Sequence, residues 1–158
     1  MPHPLIRQLL RVYDQAYTGR AWHGTPLRGA IRGISPRAAL RRPGKNRHNI
    51  WEEVLHTAYW KYIVRRRLTR DESDSFPRDG SNWFPVRRGS TREWRAAVRL
   101  LDQQHTLLRR VIARFPAAQL GRRGWRSKWT NEEHIYGIAS HDLYHAGQIQ
   151  LVKRLTKR

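Results

Sequence analysis

Apolar residues recur along this chain at three- and four-residue intervals in four stretches, and no stretch alternates long enough to read as a strand. The clearest is STREWRAAVRLLDQQHTLLRRVIARF, about residues 90–115. Trp94, Val98, Leu101, His105, Leu108 and Ile112 step along it by four and three, making one continuous seam. Arg92, Arg95, Arg99, Arg109 and Arg110 project from roughly the opposite side and read as a solvated face. The same periodicity predicts helices over about 4–17, 49–68 and 130–155. Leu5, Leu9, Val12 and Ala16 mark the inward side of the first. Trp51, Val54, Leu55, Ala58 and Tyr62 mark that of the second, and Ile135, Ile138, Ile149 and Val152 that of the last.

Local signals punctuate these helices. Asn49 with Glu52, Ser90 with Glu93, and Thr130 with Glu133 each place a capping side chain three residues before an acid that can answer it. Pro116 stops the third helix. Two long connections remain. Residues 18–48 are rich in Gly, Pro and Arg, with one helical turn predicted at SPRAAL, capped by Ser35 and started by Pro36. Residues 71–89 carry Phe76, Trp83 and Phe84, which are expected to pack over one end of the molecule. Four long helices and two long links predict an all-α single domain over residues 1–158, a four-helix bundle with at least one long crossover.

Composition narrows the chemistry. With no cysteine, disulfides, thiolate metal sites, iron–sulfur clusters and a cysteine nucleophile are excluded. No apolar run is long enough to span a bilayer, and the start lacks the order of a secretion signal, so a cytoplasmic protein without a membrane partner is expected. The formal charge of +20 attracts polyanions, yet Arg supplies 27 of the 32 positive residues, spread along the whole chain. A compositional bias toward arginine explains that pattern as well as a nucleic-acid partner does, and nucleic acid is not favoured.

Among the eight histidines, His141 and His145 are set apart by their position. They sit four residues apart between Ile138 and Ile149, in step with the apolar stripe of the last helix. Both rings are expected to point inward, stacked so that they can ligate one ion. A third ligand must come from another helix. His105, squarely on the seam of the third helix, is slightly favoured by periodicity over His56, which lies nearer the edge of its stripe.

The segment SKWTNEEHIYGIASHDLYHAGQIQLVKRL resembles the C-terminal signature of the DinB-like (DinB/YfiT) family of bacterial proteins, a helix with His-x-x-x-His followed by Gly-Gln-Ile. RHNIWEEVLHTAYWKYIVRRRL resembles the family's second-helix motif, which ends its apolar run in one histidine. The order of elements matches over nearly the whole chain. The resemblance implies an up-down-down-up four-helix bundle and a divalent metal, zinc or nickel, held by His56, His141 and His145. It displaces His105, which matches no ligand position of the family. Homodimers are common in such proteins.

Three imidazoles leave coordination positions open, as at catalytic rather than structural metal sites. Such an ion can activate water or ionise an external low-molecular-weight thiol, so a hydrolase or a thiol-dependent transferase acting on a small molecule is implied. A non-catalytic metal-binding bundle and a basic nucleic-acid-binding bundle are the alternatives. Glu52 and Tyr59, each one turn from His56, and Gln148, three residues past His145, are the candidate catalytic helpers.

Overall fold

A computed structural model describes residues 3–157. Its helices are α1 (Pro4–Tyr17), α2 (Leu27–Ile31), α3 (Pro36–Ala39), α4 (Ile50–Thr69), α5 (Thr91–Ala113) and α6 (Asn131–Leu155), with a 3-10 turn at Ala117–Gln119. No strand occurs among the described residues. The three long helices α4, α5 and α6 all begin with the predicted reciprocal caps: Asn49 with Glu52, Ser90 with Glu93, Thr130 with Glu133. Ser35 caps α3 through the Ala38 amide, with Pro36 at its first position. Each cap satisfies amide donors that the first helical turn leaves without partners.

The long helices pack in a ring, α1 against α6, α6 against α4, α4 against α5, and α5 back against α1. Paired side chains give the directions. Tyr13 meets His105 and Tyr17 meets Asp102, so α1 and α5 are antiparallel. Trp51 and Trp94, both near helix starts, lie 5.3 Å apart between ring centroids, so α4 and α5 are parallel. Glu53 meets His145 and Lys61 meets Asp142, so α4 and α6 are antiparallel. The result is the up-down-down-up bundle that the family resemblance implies.

Parallel neighbours cannot be joined by a hairpin. Residues 70–90 must return along the 20-residue length of α4, roughly 30 Å at 1.5 Å per residue. Phe76 and Phe84 anchor this crossover against Tyr59, with centroid separations of 5.3 and 5.5 Å. Tyr62 adds a hydrogen bond to the Asp74 carbonyl at 3.1 Å.

The core is two clusters. One gathers Trp51, Leu55, Trp94, Leu101 and Ile149 with Leu27 and Ile31. The other gathers Ile6, Leu9, Tyr13, Leu108, Ile112 and Ile135. The predicted faces of α4, α5 and α6 are those that pack, and the five arginines of α5 are exposed. The first helix corrects its prediction. Leu5 and Val12 are 45% and 40% exposed, whereas Ile6, Leu9, Tyr13 and Ala16 are buried. Two tyrosines decide the rotation: turned inward, Tyr17 bonds Asp102 at 2.5 Å and Tyr13 packs on His105. The short α2, which packs against α6, was not predicted; five residues around Gly29 are too few to show a period.

Candidate metal centre

The antiparallel pairing of α4 and α6 sets His56 opposite His141 and His145. His141 and His145, one turn apart, bring their Nε2 atoms within 3.1 Å of each other. His56 Nε2 lies 3.2 Å from His141 Nε2, and one ring nitrogen from each of the three falls within 4.8 Å of the others. His56 and His145 are buried and His141 is half-buried.

The outer ring nitrogens show which tautomers converge. His56 Nδ1 lies 2.8 Å from the Asn82 carbonyl oxygen, which can only accept, so Nδ1 carries the hydrogen. His145 Nδ1 faces the Glu53 carboxylate in the same sense. With the hydrogen on Nδ1, the neutral form of either ring presents a bare Nε2 lone pair to the centre. Burial, reinforced by the neighbouring imidazoles, depresses His141 to about 2, and burial depresses His56 to about 4. Mutual hydrogen bonding cannot satisfy all three inward nitrogens: a neutral His141 with its hydrogen on Nε2 could donate to only one of its two neighbours. A shared cation satisfies all three. The donor set fits a borderline divalent ion, with Glu53 as the carboxylate that orients and enriches its histidine.

Trp83 covers the centre. Its indole stacks on His56 at 3.9 Å and on His48 at 3.6 Å. Asn82, beside it, is in the left-handed region at φ 63°. Its carbonyl holds His56, and its side-chain oxygen accepts from Trp60 Nε1 at 2.9 Å.

Two cavities reach the triad from different sides. One, of about 400 Å³, is walled by Trp60, Trp129 and Tyr136 and ends on His141. The other, of about 530 Å³, is rimmed by Lys45, Arg47 and His48 and ends on His145 and Glu53.

The candidates chosen from sequence divide accordingly. His56, His141 and His145 come together. Gln148 lines the second cavity beside His145. Tyr59 belongs to the aromatic packing under the crossover and lines neither cavity. Glu52 is held by Arg42, His48 and the amides of Asn49 and Val86; burial opposes its charge, but these bonds keep its carboxyl below the usual range. The acid that reaches a histidine of the triad is its neighbour Glu53. His105 corrects the reading from periodicity: it is stacked on Tyr13 and Tyr17 at 4.4 and 3.7 Å, in the interface of α5 with α1. Asn82 and the fully buried pair Lys61–Asp142, next to His141, were not anticipated. Lys61 could have been suspected from its place among apolar neighbours of α4, whereas Asn82, in a loop, carries no pattern.

No curated protein and no solved structure matches the chain. The model of one family, described as the DinB superfamily, matches residues 21–149, a span that includes all three histidines and excludes α1. Covering most of the 158 residues and agreeing with the bundle and its histidine triad, this match shows that the chain belongs to the DinB superfamily.

Proposed function

We propose that this chain is a metal-dependent enzyme in which His56, His141 and His145 hold one divalent ion, zinc or nickel, and that it transfers a group between two small molecules. The observation that carries the reading is the pair of cavities converging on the triad, since a purely structural ion needs no access from solvent. The ion, when bound, supplies Lewis acidity and lowers the pKa of a thiol or water that reaches it.

The residues of the chain do the rest. Glu53 and the Asn82 carbonyl keep Nδ1–H of their histidines pointed outward. Trp83 excludes water from the face of His56. The basic rim of the second cavity suits an anionic low-molecular-weight thiol, with Gln148 placed to hydrogen-bond it. The aromatic cavity suits the acceptor. With water in place of the thiol the same arrangement would serve a hydrolase, and the dependence of turnover on added thiol separates the two.

The test begins with elemental analysis. The purified chain is expected to carry close to one divalent ion per molecule, and His145→Ala to carry none. Equal metal in both would refute the assignment. Homodimer formation is part of the proposal. It is supported by the exposed row Tyr136, Tyr144, Leu151 and Leu155 along one side of α6, and sedimentation analysis reads it directly.

A further inference from the structure

The aromatic cavity contains a charge that nothing described so far uses. Trp60, Val64 and Arg67 lie on one face of α4 at helical spacing. Across from them α6 presents His134, Gly137, Ile138 and His141. The Arg67 guanidinium sits 5.8 Å from the Trp60 ring centroid, and Trp60 is itself fixed by Asn82. Arg67 is half-buried, and its side chain has no carboxylate partner among the described residues. Glu133 lines the same cavity, but its Oε2 accepts from the Thr130 amide and hydroxyl, and it forms no ion pair with Arg67. His134 is neutral: burial, then the Arg67 charge, depress it to about 4, and its Nε2 meets the Ser127 hydroxyl at 2.8 Å. Desolvation by the walls likewise pulls Arg67 below its ordinary value. A guanidinium in an apolar wall without a counter-ion is costly unless a ligand brings one.

We infer that this cavity binds a small carboxylic acid with a flat apolar or aromatic body, its carboxylate on Arg67 and its other end toward His141. The volume of about 400 Å³ lies in the ~300–1,000 Å³ range of small-molecule sites. The planar fork of Arg67 matches a carboxylate with two parallel hydrogen bonds. Trp60, Trp129 and Tyr136 offer faces for the body. The orientation toward His141 rests on the metal-dependent reading above, whereas the affinity for the acid does not.

The probes are 1-naphthoate and its uncharged counterpart 1-naphthalenemethanol, titrated into the full chain by calorimetry and tryptophan quenching. Wild type is expected to bind naphthoate at least tenfold more tightly than the alcohol. Arg67→Met should erase that preference and leave the alcohol unchanged. Arg67→Lys, which keeps the charge but loses the fork, should weaken naphthoate severalfold, and it serves if Arg67→Met does not fold. A Cβ at Gly137 meets no atom within 4 Å, so Gly137→Leu should keep the fold while filling the cavity and abolishing both ligands. Arg95→Met, on the exposed face of α5, controls for general attraction of anions to a +20 chain and should change nothing. Equal affinity for the two probes in wild type, or naphthoate binding untouched by both Arg67 variants, would overturn the inference. His145→Ala should retain naphthoate binding within about threefold. A wild-type chain devoid of metal yet dependent on Arg67 would therefore sink the metal-centre reading and leave this one standing.

Discussion

Glu53 shows how much one position of rotation decides. It and Glu52 are consecutive on α4, and no period distinguishes them; the first turn of the helix aims one at Arg42 and the crossover, the other at His145. Glu53→Gln keeps the shape but removes the charge, and is expected to weaken metal binding by roughly 10- to 100-fold without loss of helix. Competition with a chelator of known affinity measures that. His105→Gln should leave metal content intact, because the ring belongs to the Tyr13–Tyr17 stack. Its effect is on acid stability. Burial, aided by Lys61 and Arg109, holds His105 at about 2 in the folded chain, against about 6.5 when unfolded. The unfolded chain therefore takes up a proton that the folded chain refuses. The stability this site contributes is whole above pH ~6.5 and drains away as pH falls below it. Urea titrations of metal-free protein should show a slope against pH that is shallower in His105→Gln, by at most about 1.4 kcal/mol per pH unit.

At the scale of elements, the helices were the most legible part of the sequence, because caps and periods are local. All four long helices and the Ser35-capped turn lie within two residues of expectation. The face of α1 was misjudged because Leu5 and Val12 are as apolar as Ile6 and more so than Tyr13; only the hydroxyl partners on α5 favour the observed side. The helices that carry the triad were legible through their motif, whereas periodicity alone pointed to His105, since a buried histidine on a seam reads the same whether it faces a metal or stacks on tyrosine. The ion pair Lys61–Asp142 ties α4 to α6 beside His141, and both side chains are fully buried. Lys61→Met should cost about 3–5 kcal/mol by stranding the carboxylate, while Lys61→Met with Asp142→Leu should recover most of that loss. A non-additive double-mutant cycle in thermal or urea unfolding is the signature. Gly147, in an exposed turn of α6 with open space around it, should gain about 0.5–1 kcal/mol as Gly147→Ala.

For the whole molecule the excess of positive charge is a burden distributed over the surface. The +20 charge repels itself, and screening relieves that repulsion. Melting temperature should therefore rise between ~20 mM and ~300 mM salt, and weak association with polyanions should vanish over the same range. An unfolding midpoint that falls with salt would mean that specific ion pairs outweigh the repulsion. The wiring of the bundle has a further consequence. Because α4 and α5 run the same way, the strap between them is obliged to climb past the histidines, and on that climb it lays Asn82 and Trp83 over His56. A shorter link that still ran back along α4 would spare every helix and every imidazole, yet without Asn82 and Trp83 it would take away the roof. The surroundings of the triad are thus written partly in the topology: a helix-free detour of the backbone encloses the three histidines.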